Sequence, residues 1–187
     1  MELTDLVTIY SEKTPNPESM KFVANKMILP NDSIDFRAKE GLDLCPMAKE
    51  LFEYDFVKGV FIMNNFVSVT KKEDYEWFDI IPQLKKFVQE YLEAEKPIVL
   101  VKEVLTQEEE SEVVTKIKQL LEDHVRPAVE MDGGAIDFKS FEEGIVTVTM
   151  KGSCSGCPSS TLTLKAGIEN LLKRMIPEVE AVEAEAA

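Results

Sequence analysis

Cysteine, histidine and basic residues are all scarce in this chain, and each scarcity removes a class of protein. Three cysteines in 187 residues are an odd number and too few for a disulfide framework. The only histidine is His124, so a mixed cysteine–histidine ligand set has little to draw on. Lysine and arginine total 21 against 35 acidic residues, a formal charge of -14. That balance lacks the electrostatic footprint of non-specific binding to nucleic acid or to an anionic membrane surface. No stretch approaches the roughly 20 apolar residues of a membrane span, and MELTDLVTIY has neither a basic start nor an apolar signal core. The expectation is a cytoplasmic protein with no nucleic-acid and no membrane partner.

What is present is an ordinary apolar share of 44%, enough for two compact domains with cores of their own. Residues 6–10 alternate and are β-branched, predicting a strand, and Thr14-Pro15-Asn16-Pro17 predicts a rigid loop. A second extended run covers about 20–29. Cys45-Pro46 opens a short helix through Phe52, and the runs on either side of Asn64-Asn65 predict a β-hairpin, because asparagine tolerates positive φ. The segment 77–92 places Ile81, Leu84, Phe87, Val88, Tyr91 and Leu92 on one helical face. After Pro97 and the acidic QEEESE run the pattern restarts. Val113, Val114, Ile117, Leu120, Leu121 and Val125 line a helix, and Asp132-Gly133-Gly134 stops it. Ile136 and Phe138, then Val146, Val148 and Met150, alternate as two antiparallel strands about a Glu142-Glu143-Gly144 tip. Leu164, Ile168, Leu171, Leu172 and Met175 predict a last helix, residues 179–182 an edge strand, and the tail EAVEAEAA a frayed end. The fold class is therefore α+β in two small domains: an N-terminal α+β domain with antiparallel strands (1–97), a linker (98–110), and a C-terminal α-β-β-α(-β) domain (111–187).

The chemistry is concentrated in Gly152-Ser153-Cys154-Ser155-Gly156-Cys157-Pro158. Proline suits the first helical position, which makes Cys157 the cap residue and brings the positive helix end near both sulfurs. The expectation is an accessible loop whose thiols have lowered pKa, since thiolate both ligates metal and attacks disulfides. A closed zinc site or an iron–sulfur cluster takes about four protein ligands, and this loop supplies a pair. A second copy of the chain about a two-fold axis completes the set. Three readings stay open on these residues: a metal or cluster site, a thiol–disulfide oxidoreductase, and two structural thiols. An antiparallel strand before the helix, in place of a βαβ unit, weighs against the second reading, and the Gly-Ser surroundings weigh against the third.

The run HVRPAVEMDGG with GIVTVTMKGSCSGCPSSTLTLKAGIENLL and IPEV resembles the NifU-like domain of Nfu-type iron–sulfur cluster scaffold proteins. TPNPESMKF, CPMAKELF, VKGVFIMNNFVSVTKK and WFDIIPQLKKFVQEYL resemble the N-terminal domain that accompanies it. The resemblance implies a carrier, not an enzyme, with Cys154 and Cys157 as the ligands of a [4Fe–4S] or else a [2Fe–2S] cluster. It implies a homodimer when the cluster is bound, upstream iron–sulfur assembly machinery as donor, and apo iron–sulfur client proteins as acceptors. A zinc-bridged dimer and a thiol–disulfide oxidoreductase are the competing readings. Elsewhere, Cys45 reads as packed, His124 as solvated, Arg126 as ion-paired, and the acidic 107–112 run as a helix entrance favoured by the dipole.

Overall fold

The computed structural model describes residues 6–100, 111–155 and 158–186, without the side chains of 158–160. The chain divides into two compact units, Met1–Lys102 and Glu103–Ala187, each with its own α+β architecture.

In the first unit, strands β1 (Ile9–Lys13), β2 (Ser19–Ala24), β3 (Leu29–Phe36), β4 (Val57–Asn64) and β5 (Phe66–Lys71) form one antiparallel sheet in the order β1-β2-β5-β4-β3. The expected hairpin is β4–β5, and its turn is made by Asn64 at φ 45. Helix α1 (Pro46–Leu51) starts at proline, and helix α2 (Trp77–Glu93) buries Ile80, Leu84, Val88, Tyr91 and Leu92. These meet Phe22, Leu51, Ile62 and Val67 in one core. Removing each such side chain from water is worth about 1.5–3 kcal/mol. The Thr14–Pro17 loop is held by hydrogen bonds at both ends. The Thr14 hydroxyl donates to the Asn16 and Ser19 carbonyls at 2.9 and 3.1 Å, and the Trp77 indole N–H donates to the Pro17 carbonyl at 2.8 Å.

Two expectations shift here. The first strand begins at Ile9 and not at residue 6, and the run 20–29 splits, because Ala24 ends β2 and a separate edge strand, β3, starts at Leu29. Pro30 and Asn31, at φ 59, disguise β3 in the sequence; an irregular register between Leu29 and Ser33 accommodates them at the sheet edge. Past Pro97, Ile98 and Val99 pack on this core, and the Leu100 N–H donates to the Leu44 carbonyl at 2.9 Å.

The second unit begins with α3 (Glu112–Leu120), whose N-cap Ser111 accepts from the Val114 N–H at 3.3 Å. Residues 107–110 of the acidic run lie outside the described residues. A π-helical turn, Leu121–Val125, then leads into α4 (Arg126–Met131). Pro127 explains the widening: it has no N–H to give, its ring crowds the carbonyl one turn back, and the Arg126 N–H donates instead to Leu121. Strands β6 (Gly134–Glu142) and β7 (Ile145–Gly152) form the expected hairpin, with Glu143 at φ 49 and Gly144 at φ 80 in its turn. Helix α5 (Pro158–Met175) follows, and then β8 (Ala181–Ala186). The core gathers Ile117, Leu121, Val125, Val129, Ile136, Val148, Ile168 and Leu172.

Strand β8 corrects the expectation of a frayed tail. It pairs parallel with β7 from Ile145↔Ala181 to Met150↔Ala186. Val182 is buried, and its N–H donates to the Glu169 carboxylate of α5 at 3.1 Å. Alanine and glutamate are poor strand formers, so pairing and this anchor override a local propensity that reads as low complexity. The sheet order β6-β7-β8 bears out the expected α-β-β-α-β order, and it sets β7 antiparallel to β6 but parallel to β8. The stretch β7-α5-β8 is thus a βαβ unit, and the strand-direction argument against an oxidoreductase does not hold.

Candidate functional site

The conspicuous turn lies between β7 and α5, and the end of α4 forms its wall. Helix α4 stops as expected: the Asp132 N–H donates to Ala128 at 3.3 Å, the Gly133 N–H to Glu130 at 3.0 Å, and Gly133 takes φ 78, which glycine adopts without strain. Gly134 then pairs across the hairpin with Gly152. This register sets residues 132–134 directly against 152–154. The Ser153 hydroxyl donates to the Asp132 carbonyl, and the Ser153 N–H to the Gly133 carbonyl at 3.4 Å.

Cys154 sits in a short 3-10 turn, Ser153–Ser155. The Ser155 hydroxyl donates to the Gly152 carbonyl at 2.8 Å, and the Thr161 hydroxyl, on the first turn of α5, donates to the Cys154 carbonyl at 3.1 Å. Its side chain is 6% exposed and belongs to the apolar core of the unit. Burial pushes its thiol pKa from 9.0 up to about 11, and the Asp132 carboxylate pushes the same way, against a hydrogen bond with Ser153. Both expectations about this thiol are therefore corrected. Cys154 is neither openly accessible nor held as thiolate, because the turn folds it under core residues and desolvation outweighs the helix end. Cys157 lies outside the described residues; α5 starts at Pro158 as expected, one residue beyond it.

The raised thiol has a measurable consequence. The unfolded chain gives up this proton near pH 9 while the folded chain keeps it to about 11, so over that window the unfolded state binds fewer protons and stability falls as pH rises. Below pH 9 the group contributes nothing. Apo-protein is expected to lose about 2–3 kcal/mol of second-unit stability between these limits through this group, and Cys154→Ala is expected to lose correspondingly less. Parallel melting curves of the two proteins from pH 7 to 11 check it; identical slopes would rule the cause out.

The other conspicuous residues fall where their sequence context placed them. Cys45 is fully buried in the first core, at the residue before α1, with its thiol pKa raised by desolvation. His124 is exposed. Arg126 is ion-paired along its helix with Glu122 and with Glu130, the latter at 3.0 Å. Among the described residues no group of three or more His, Cys, Asp or Glu side chains is placed to hold a metal ion. None of their helices is long and apolar enough to cross a membrane. Sequence reasoning took Gly134 only as part of a helix stop and Ser153 only as loop, and missed that with Thr161 they locate Cys154. Their signal is present only as a second glycine after a helix stop and as hydroxyls flanking a cysteine pair.

Two family models match this chain, one over each unit. The sequence model described as "NifU-like domain" matches residues 117–183, and "Scaffold protein Nfu/NifU N terminal" matches 9–95. The human "NFU1 iron-sulfur cluster scaffold homolog, mitochondrial" is 40% identical over 179 residues, covering 94% of this chain and 70% of its own length. "NifU-like protein 4, mitochondrial" of Arabidopsis thaliana is 40% identical over 185 residues, covering 95% of this chain and 65% of its own. A NifU-like protein of Saccharomyces cerevisiae solved by NMR is 23% identical, with a TM-score of 0.48 over 55% of this chain and 92% of that one. The chain belongs to the Nfu family of iron–sulfur cluster scaffold proteins. It spans 65 to 70% of the length of the human and Arabidopsis relatives.

Proposed function

We propose that this chain holds an iron–sulfur cluster as cargo through Cys154 and Cys157 and passes it to apo-proteins, acting as carrier and not as catalyst. The observation that carries this reading is the clamped turn at the head of α5, where Ser153 and Thr161 fix the backbone on either side of Cys154 and a second thiol follows three residues later. An iron–sulfur cluster takes about four thiolates. A pair from each of two chains supplies them, so the cargo is a [4Fe–4S] cluster shared across a homodimer, and a [2Fe–2S] cluster is the alternative with the same ligand count. Iron supplies the positive charge that a buried thiolate needs. Upstream assembly machinery loads the pair, and the cysteines of an apo client replace it by ligand exchange.

A thiol–disulfide oxidoreductase is the second reading, because β7-α5-β8 gives the pair the strand–helix setting of that chemistry. The raised Cys154 thiol opposes it, since the attacking group must be thiolate. The cluster reading requires a compartment that keeps thiols reduced. For this chain we propose the cytoplasm, which fractionation of tagged protein checks against the mitochondrial location in its relatives' names.

Anaerobic reconstitution separates the readings. The expected product is a coloured dimer with iron and sulfide in equal amounts, which activates an apo [4Fe–4S] enzyme in the presence of a chelator and reverts to apo-protein as it does so. A colourless zinc dimer, or insulin reduction without metal, would overturn the proposal. A four-iron monomer would overturn the shared site.

A further inference from the structure

The glycines of the Asp132-Gly133-Gly134 turn are not equivalent. Gly133 has φ 78 and needs glycine for its backbone. Gly134 is absent from the positive-φ residues, so its conformation is open to any L-residue. What excludes a side chain at 134 is its neighbours. A Cβ there would stand 2.7 Å from the Cys154 Sγ, 2.7 Å from the Lys151 carbonyl oxygen and 3.2 Å from the Cys154 Cβ. Separations under 3.0 Å do not occur for real Cβ atoms.

We infer that Gly134 is a positioning residue for the Cys154 ligand: its bare backbone is the wall against which the sulfur is seated. This rests on the reading of Cys154 as a ligand. The wall is stiff on one side, because the Lys151 carbonyl belongs to β7 and residues 151 and 135 are partners in the β6–β7 ladder. On the other side Cys154 is packed among core residues such as Ile136, Val148 and Ile168, and a close-packed interior has no room for the sulfur to move deeper. The one soft coordinate is the rotation of the Cys154 side chain. Any residue larger than glycine at 134 therefore presses the thiol out of its seat and strains the end of the β6–β7 ladder at the Lys151 carbonyl. A shift of this kind leaves the ligand in the sequence and removes it from its place. Supporting positions around a metal ligand typically cost about 10- to 100-fold in retention when altered.

The test compares Gly134→Ala with Gly144→Ala. The second variant is the structural control: Gly144 has φ 80, its added Cβ would lie 2.9 Å from the Glu180 Cγ, and it sits at the far end of the same hairpin. Two measurements are made on each full-length protein. The first is the rate of Cys154 alkylation by iodoacetamide in the apo-protein, resolved by mass spectrometry. The second is the rate at which reconstituted protein loses its cluster absorbance to a chelator. Gly134→Ala is expected to alkylate about tenfold faster at Cys154, as an unseated thiol does, and to lose cluster about 10- to 100-fold faster. Gly144→Ala is expected to lower the melting temperature and change neither rate. Wild-type rates in Gly134→Ala, or equal changes in both variants, would overturn the inference. Should wild-type protein take up no cluster, the ligand reading falls, and the alkylation rate alone still decides whether residue 134 seats the sulfur. Where Gly134→Ala folds in low yield, the double variant with Cys154→Ala decides. A smaller drop in melting temperature for Gly134→Ala on the Cys154→Ala background than on wild type supports a collision with the sulfur, the Lys151 carbonyl contact being common to both, and an equal drop overturns it.

Discussion

Cys154→Ala and Cys157→Ala are each expected to abolish stable cluster binding, with bound iron falling to background after reconstitution and gel filtration, while Cys45→Ala keeps most of its iron. The asymmetry follows from placement. Cys154 stands in a turn at the mouth of α5 with its backbone fixed by two hydroxyl groups, whereas Cys45 is 0% exposed inside the first core with hydrophobic residues around it. In the proposed shared site, losing one thiolate per chain removes two ligands from the cluster, since both copies carry the change. Partial binding is therefore not expected, even though a single alanine is a small perturbation. Iron and sulfide assays on the three variants, alongside their absorption spectra, give the answer. Equal loss of iron in Cys45→Ala would move the site or show that the first unit takes part in it.

Leu172→Ala is expected to unfold the second unit at temperatures where the first is intact. Leu172 is fully buried on α5 and packs with Ile117, Val148 and Ile168. Truncating such a leucine costs about 2–5 kcal/mol, a large share of the 5–15 kcal/mol, roughly, that holds a small domain together. The first unit has a separate core and contains the chain's only tryptophan, Trp77, at the start of α2. Fluorescence at that residue should keep its wild-type melting temperature while far-UV circular dichroism shows an early transition from the second unit. Leu84→Ala, in the first core, should reverse the order. A single transition that moves in both probes for either variant would show that the two cores melt as one. Retained secondary structure in apo wild-type protein is the companion expectation, because neither core depends on metal in the way of a zinc finger.

The sequence was most legible where one physical signal acted alone. Helices α2 and α5 announce themselves by apolar residues at helical spacing, and the β4–β5 and β6–β7 hairpins by Asn64 and by Glu143-Gly144 at positive φ. It was least legible where tertiary pairing overruled local preference. Strand β3 contains Pro30, Asn31 and Asp32, all poor in strands, and β8 is built from alanine and glutamate; each is an edge strand held by its neighbour. The environment of Cys154 was misjudged for a related reason. Gly152, Ser153 and Ser155 suggest an open loop when read in line, yet the wall that covers the thiol comes from residues 132–134, some twenty positions earlier. Nothing in linear spacing announces that Gly134 and Gly152 are partners across a hairpin. Only the pairing of a glycine at a helix stop with a glycine before a cysteine hints at it.

The π-helical turn at Leu121–Val125 gives the second unit a form of sensitivity to counting. In a regular α-helix each residue advances the direction of the chain by about 100° around the axis. The buried series Ile117, Leu121, Val125, Val129 repeats every fourth residue, a spacing that would creep around a regular helix and leave the core. The wider turn absorbs that creep, so that α4 ends with Asp132 and Gly133 delivered to Ser153. Deleting one residue within 121–125 would remove the extra residue that widens the turn, while Pro127 would still withhold its N–H. It would also swing the whole of α4 by about one residue's rotation and carry the 132–134 wall away from Cys154. A lineage could exchange exposed residues of α4 such as Ala128 and lose little, but an insertion or deletion two turns upstream of the wall, in a stretch with no ligand in it, would dismantle the seat of the sulfur.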